Sequence, residues 1–147
     1  MDEVISANQV FYGFVSGGKE VIRNRSYLNE INVFPVPDGD TGSNLSSTLS
    51  SILENAPVQS SAGGMMRALA EAGLEGARGN SGLIFVQFLH GLAESVGDLK
   101  EITLAKFVRA SKRAVEKAYR AVSNPVEGTM LTVIRRWAEA ISEFYGD

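Results

Sequence analysis

The sequence contains no cysteine and a single histidine, His90. Without cysteine, disulfide bonds, thiolate metal sites and a cysteine nucleophile are all excluded. With one histidine, neither a histidine metal cluster nor a histidine-based catalytic triad has the residues it needs. Several common classes of catalytic and metal site are therefore ruled out before any motif is considered.

Long hydrophobic runs are also lacking. No apolar stretch reaches the roughly 18 to 20 residues that cross a bilayer, and the start "MDEVISANQVFYG" lacks the basic residues of a secretory signal. We therefore expect a cytoplasmic protein with no transmembrane segment. The formal net charge of −3 gives no general attraction to nucleic acid or to anionic membranes. Any anionic ligand has to be held by local groups.

The pattern that is present is helical. Apolar residues recur three and four positions apart along most of the 147 residues, whereas sustained alternation is scarce. This predicts one all-α domain with helices over 6–23, 41–54, 65–74, 83–96, 103–122 and 127–145. The segment 83–96 is apolar on nearly every side, so we expect it to be the most buried helix.

The loop "VFPVPDGDTGSN" places two carboxylates directly before a helix start. On an extended backbone Asp38 and Asp40 would point the same way, with Gly39 keeping the space between them clear, which suits a hard cation such as Mg²⁺. An ordinary surface turn favours the same residue types, and this alternative stays open. A calcium loop of the EF-hand type fails because Gly42 and Leu49 stand where that loop needs ligands.

The residues after this loop are suited to phosphate. Thr41, Ser43 and Asn44 offer side-chain donors at a helix start, where free N–H groups and the helix dipole also favour anions. Neither the Walker loop nor the protein-kinase catalytic loop occurs in the sequence. A metal nucleotide would therefore have to be held by a different arrangement.

Two further segments carry similar chemistry. "GARGNSG" brings Asn80, Ser81 and Gly82 to a second helix start, although a plain interhelical turn with Ser81 as the N-cap would look the same. "NPVEGTM" places Glu127 and Thr129 at a third helix N-terminus, where simple helix capping is again the alternative.

The segments "NVFPVPDGDTGSN", "GARGNSG" and "PVEGTMLTVIR", in this order, closely resemble the N-terminal domain of bacterial fatty acid kinases. That domain belongs to the dihydroxyacetone kinase L-type (DhaL) nucleotide-binding family. The resemblance implies a DhaL-like domain over residues 1–147, folded as an antiparallel barrel of amphipathic helices that binds ATP and a pair of Mg²⁺ ions at one end. It also implies transfer of the γ-phosphoryl group of ATP to the carboxylate of a fatty acid, presented by a separate fatty-acid-binding partner protein.

Carried over residue by residue, the resemblance makes Asp38 and Asp40 the magnesium ligands. Dihydroxyacetone kinase domains carry a third aspartate shortly before this pair, and here Asn32 is expected to act as a neutral ligand in its place. The remaining implied nucleotide contacts come from all three segments: Thr41, Gly42, Ser43, Asn44, Asn80, Ser81, Gly82, Thr129 and Met130, with Leu131 beside them.

The family domain normally continues for several dozen residues beyond this sequence. The resemblance therefore implies that closing helices are missing, so we expect either a fragment of a longer protein or a shortened relative, inactive on its own. Apolar flanks left on the first helix and on 134–144 would be covered in a homodimer or, in a fragment, by the rest of the longer protein. Two other functions remain open: a dihydroxyacetone-type small-molecule kinase subunit, and a non-catalytic nucleotide-binding or scaffold module. Phosphate transfer that depends on an added acyl-carrying partner would separate the three.

Overall fold

A computed structural model describes residues 3–145 of the chain. In this range the fold consists of seven α-helices and one short antiparallel β-ladder. The elements in chain order are β1 Val4–Ile5, α1 Ala7–Arg23, α2 Arg25–Ile31, α3 Thr41–Asn55, α4 Ala62–Gly76, α5 Gly79–Val96, β2 Ile102–Thr103, α6 Leu104–Arg120 and α7 Met130–Phe144. The prediction of an all-α bundle of amphipathic helices is confirmed.

The observed helices differ from those predicted chiefly at α2, α4, α5 and α7. Helix α4 covers Ala62–Gly76 rather than 65–74, because Ser61 caps its start by accepting from the Gly64 N–H. Helix α2 was not expected, because none of its seven residues is buried and it therefore lacks an apolar stripe. Helix α5 already begins at Gly79, so the segment read as a loop up to Gly82 forms its first turn. Helix α7 begins at Met130 rather than at Glu127, because Gly128 has a φ of +88°, which a helix cannot include.

Helix α5 lies at the centre of the bundle, as its apolar composition predicted. It packs against α3, α4, α6 and α7. Nine of its 18 residues are buried, whereas nine of the 15 residues of α4 are buried, so the prediction that α5 is the most buried helix is wrong by this measure. The largest fully buried side chains around it come from several elements: Ile52, Met65, Val86, Ile102, Val108 and Leu131. Burial of these side chains from distant parts of the sequence gives the fold its single core.

The N-terminal end of the described chain is tied to the start of α6. In the β-ladder Val4 pairs with Thr103 and Ile5 pairs with Ile102. Helix α1 then begins with a capping box, in which Ser6 accepts from the Gln9 N–H while the Gln9 side chain accepts from the Ser6 N–H. These contacts fix where α1 enters the bundle.

Apolar side chains remain exposed on α1 and α7. Tyr12, Val133 and Phe144 are exposed, as is 41% of Trp137, whereas Ile134 is buried. Trp137 packs edge-on against Phe88 and Phe107 and lines an apolar groove of about 390 Å³ between α1 and the helices α4 to α7. Self-association through this face stays a prediction. None of the helices in residues 3–145 combines the length and apolar character needed to cross a membrane.

Candidate functional site

The start of α3 is held from outside the helix by two asparagines. Asn32 Oδ1 accepts from the N–H groups of Asp40, at 3.0 Å, and Thr41, at 3.1 Å. Asn29 Oδ1 accepts from the N–H of Ser43 at 3.0 Å. Asp40 occupies the N-cap position but makes no capping bond with its own side chain. The N-terminus of α3 is thus capped by α2 and by the residue that follows it.

This capping changes the expectation of free amides at α3. The Ser43 side chain is also engaged, since its Oγ accepts from Asn29 Nδ2 at 3.0 Å and from Arg25 Nε at 3.3 Å. Within residues 3–145, Gly42 has the one first-turn N–H of α3 that finds no protein acceptor. Phosphate would therefore meet fewer main-chain donors here than the sequence pattern suggested.

Gly42 allows α3 to approach α2 closely. A Cβ at position 42 would lie 2.0 Å from the carbonyl oxygen of Arg25 and 2.9 Å from Asn29 Oδ1. Any side chain would push α2 away and would disturb the asparagine cap. The glycine is therefore required for packing at this position.

Asp38 and Asp40 are exposed, and neither carboxylate has a partner among the described residues. The backbone between them is not extended, because Gly39 has a φ of +64°. Convergence of the two carboxylates on one ion thus does not follow from strand periodicity and stays a prediction. Nowhere in residues 3–145 do three acidic or histidine side chains group as metal ligands, so the other ligands of an ion here would be amides, water or phosphate.

The first turn of α5 meets the first turns of α3, as the similar chemistry of the two segments suggested. Ser81 Oγ donates to Thr41 Oγ1 at 3.4 Å. The N–H of Arg78 donates to Thr48 Oγ1 at 3.0 Å, and this fully buried hydroxyl donates in turn to the carbonyl of Asn44 at 2.8 Å. The two helix N-termini are therefore joined by direct hydrogen bonds.

Asn44 lies directly against the backbone of this second segment. A Cβ at Gly79, whose φ is +66°, would lie 2.3 Å from Asn44 Nδ2, so both the conformation and the contact require glycine. Ser81 is not the N-cap of α5, a position that Arg78 occupies without a side-chain capping bond. Asn80 is exposed and unpaired, and Gly82 is buried with its N–H bonded to the Arg78 carbonyl. Asn80 and Ser81 thus remain candidate phosphate contacts.

The third segment reaches the first loop by another route. Thr129 is the N-cap of α7, where its Oγ1 accepts from the Leu131 N–H at 3.3 Å and donates to the Val126 carbonyl at 2.7 Å. Contact with the first loop comes from Gly128, where a Cβ would lie 3.2 Å from the ring of Phe34. Met130 is half-buried against the core. The capping alternative therefore describes Thr129 in this structure, while a nucleotide contact from Thr129 or Met130 stays a prediction.

Glu127 is engaged by protein groups. Tyr119 donates to one of its oxygens at 2.7 Å and Arg135 to the other at 2.5 Å. The hydrogen bond from Tyr119, followed by that from Arg135, holds the pKa of Glu127 below its ordinary value. Desolvation and the bond to Glu127 raise the pKa of Tyr119. These bonds fix the turn before α7.

Sequence reasoning missed Asn29, Thr48 and Phe34 as parts of this region. Asn29 and Thr48 act through bonds that span 14 and 30 residues. Phe34 stands in the first motif, yet its contact with Gly128 joins segments about ninety positions apart. These residues are far apart in the sequence, and no local spacing pattern predicts that they come together in the fold.

Comparison with known proteins identifies the family. Residues 35–147 match the family described as the DAK2 domain. Protein YloV of Bacillus subtilis strain 168 is 39% identical over 123 residues, which cover 82% of this chain and 22% of that protein. Uncharacterised proteins of Staphylococcus epidermidis strain ATCC 12228 and Staphylococcus aureus strain USA300 are each 36% identical over 88% of this chain and 24% of their own length.

The chain spans about a quarter of the length of the curated relatives it matches. The matched range begins at Pro35 and so includes all three motif segments from Asp38 onward, whereas α1, α2 and Asn32 lie before it. DAK2 domains are the ATP-binding part of dihydroxyacetone kinase-type proteins. The chain belongs to the DAK2 domain family, which the DhaL resemblance had indicated.

Proposed function

We propose that this domain binds Mg–ATP where the N-termini of α3 and α5 meet. One observation carries the proposal: the exposed, unpartnered carboxylates of Asp38 and Asp40 stand directly before α3, whose Thr41 hydroxyl is bonded to Ser81 of α5. Mg²⁺ is commonly held by one or two carboxylates together with water and substrate phosphates. The residues present therefore fit this ion, and two adjacent helix N-termini favour the phosphates.

In this arrangement each residue has a defined task. Asp38 and Asp40 bind the metal, for which Asn32 also remains a candidate, while Thr41, Gly42 and Asn44 face the phosphates from α3. Asn80 and Ser81 close over them from α5. Bound Mg²⁺ would neutralise charge on the β- and γ-phosphates. The domain would accelerate transfer by positioning and by electrostatic stabilisation, without a protein nucleophile.

The acceptor we propose is the carboxylate of a fatty acid that a separate binding protein presents. A carboxylate oxygen attacks the γ-phosphorus, the bond from this phosphorus to the bridging oxygen breaks, and ADP leaves as acyl phosphate forms. The similarity of "NVFPVPDGDTG" to the fatty acid kinases supports this acceptor. The DAK2 match itself favours a second candidate, phosphorylation of a small hydroxyketone such as dihydroxyacetone.

Calorimetry on carboxylate variants tests the proposed site. Asp38→Ala and Asp40→Ala should each lose most magnesium-dependent ATP binding, with helicity unchanged because both side chains are exposed and unpaired. Glu101→Ala is the matched control, since this exposed and unpaired carboxylate lies on the segment before β2. Unchanged ATP affinity in Asp40→Ala would return the loop to the status of a surface turn.

The acceptor is tested by the products that form from radiolabelled ATP. The proposed activity requires acyl phosphate to appear when fatty acid and its binding protein are added. Phosphorylation of dihydroxyacetone instead would support the second candidate. Tight ATP binding with transfer to neither acceptor, in a longer protein that contains this domain as well as in this chain, would indicate a nucleotide-binding module without chemistry.

A further inference from the structure

A polar groove, here called the serine groove, runs along one face of α3. Ser43, Ser46, Ser47 and Ser50 recur at the three- and four-residue steps that place side chains on one helix face. The other lining residues are Ile22, Arg25, Asn44 and Arg78. The cavity is about 440 Å³, within the roughly 300 to 1,000 Å³ that small-molecule sites occupy.

The serine groove carries positive charge that no carboxylate neutralises. Its lining contains two guanidinium groups and no acidic residue. Within residues 3–145 neither Arg25 nor Arg78 forms an ion pair, whereas Arg23, Arg67 and Arg135 do. Two guanidinium groups without an ion-pair partner, beside several hydroxyls, create a local potential that favours an anion.

Ser46 is an independent sign that a ligand belongs here. The residue is only 5% exposed, and its Oγ has no hydrogen-bond partner among the described residues. Buried hydroxyls are nearly always paired, as Thr48 two positions later shows with its bonds to Asn44 and Arg78. An unpaired hydroxyl in the lining of a basic groove is the group that a bound anion would satisfy.

The serine groove shares Asn44 with the phosphate contacts proposed for ATP and extends beyond them. From Ser43 to Ser50 it follows α3 for about 10 Å, at 1.5 Å per residue, away from the helix N-terminus. At the Ser43 end, the Ser43 Oγ already accepts from Asn29 Nδ2 and Arg25 Nε, which leaves only its O–H free to donate. The lining hydroxyl without a partner is that of Ser46, one turn further along the helix, and Ser47 lies beside it.

We propose that the serine groove is an oxyanion site separate from the nucleotide phosphates, held by Arg25, Arg78 and the Ser46 and Ser47 hydroxyls. Guanidinium groups match the geometry of phosphate and carboxylate oxygens and bind them through charge-assisted hydrogen bonds. The ligand is thus a small molecule with a phosphate-sized anionic group. The site goes beyond the proposed function and does not depend on it.

Inorganic phosphate is the probe that tests the site. Amide shifts of residues 43–50 are followed by NMR as phosphate is added at constant ionic strength, with no nucleotide and then with saturating Mg–ATP. Saturable shifts that persist with Mg–ATP support the proposal. Loss of these shifts when Mg–ATP is present would assign the anion to the nucleotide site and overturn it, as would a linear, non-saturating response.

Substitutions locate the binding within the groove. Arg25→Gln and Ser46→Ala should each weaken phosphate binding by about tenfold, the effect of losing one good contact. Ser46→Ala removes no native bond, so it tests binding without a folding cost. Arg23→Gln is the matched control, because Arg23 is exposed, pairs with Glu20 and lies outside the groove. Wild-type affinity in both groove variants would overturn the proposal.

Discussion

Replacing Asn32 with alanine should destabilise the fold even when no metal is present. The side chain accepts two hydrogen bonds, from the N–H groups of Asp40 and Thr41, and joins the segment after α2 to the start of α3. The family resemblance implies that Asn32 is a magnesium ligand. The structure shows a capping role that would exist without the ion, so the two roles can be measured separately.

The expected loss follows from the two bonds. Replacing a capping asparagine with alanine costs about 0.5 to 2 kcal/mol. Two N–H groups lose their acceptor here and Thr41 is half-buried, so we expect the upper part of that range, about 1 to 2 kcal/mol. For a chain of this size, that loss lowers the melting temperature by about 2 to 8 °C.

Thermal unfolding in EDTA is the measurement, because it removes any contribution from bound metal. Asn32→Asp keeps an oxygen acceptor at the helix N-terminus and should retain most of the stability. Asn124→Ala, an exposed asparagine with no hydrogen bond among the described residues, should melt like the wild type. If Asn32→Ala also melts like the wild type in EDTA, the capping role is refuted.

Three further outcomes are expected. Gly42→Ala should lower the free energy of unfolding by about 2 kcal/mol or more, because its Cβ would overlap the Arg25 carbonyl. Gly13→Ala, where a Cβ meets nothing within 4 Å, should raise it by about 0.5 to 1 kcal/mol. Urea unfolding measures both changes. If Asn80 and Ser81 contact phosphate, alanine there should weaken ATP binding by about 1.5 to 3 kcal/mol and adenosine binding little, whereas equal losses would indicate a purely structural role. The bonds with Tyr119 and Arg135 lower the pKa of Glu127 from its ordinary 4.5. They therefore stabilise the folded state above pH 4.5, and this stabilisation is lost as the pH falls through the lowered pKa. The melting temperatures of wild type and Glu127→Gln should converge in acid.

The helices were predictable because their signals are local. Apolar residues recur at three- and four-residue steps along α3, and α5 is apolar on nearly every side, so both helices can be recognised from the sequence. Helix α2 has no such stripe, since it lies on the surface and is held through Asn29 and Arg25 at the start of α3. Its position depends on tertiary contacts, which periodicity does not record.

The candidate site was predictable in its residues but only partly in their roles. Chemistry pointed to Thr41 and Ser81 in separate segments, and the fold brings their hydroxyls within hydrogen-bond distance. The sequence alone could not show that Gly42 serves packing, because the atom that requires it is the carbonyl of Arg25, 17 positions earlier. The same holds for Thr129, whose hydroxyl caps its own helix.

Capping of α3 by neighbouring residues bears directly on how the domain would recognise phosphate. Because Asn32 and Asn29 already satisfy the N–H groups of Thr41 and Ser43, the start of α3 is ordered before any ligand arrives. A ligand then pays little conformational entropy to organise the turn, which raises affinity without added contacts. The donors proposed for it are the Gly42 N–H and the side chains of Thr41, Asn44, Asn80 and Ser81, so recognition would rest mainly on hydroxyl and amide groups.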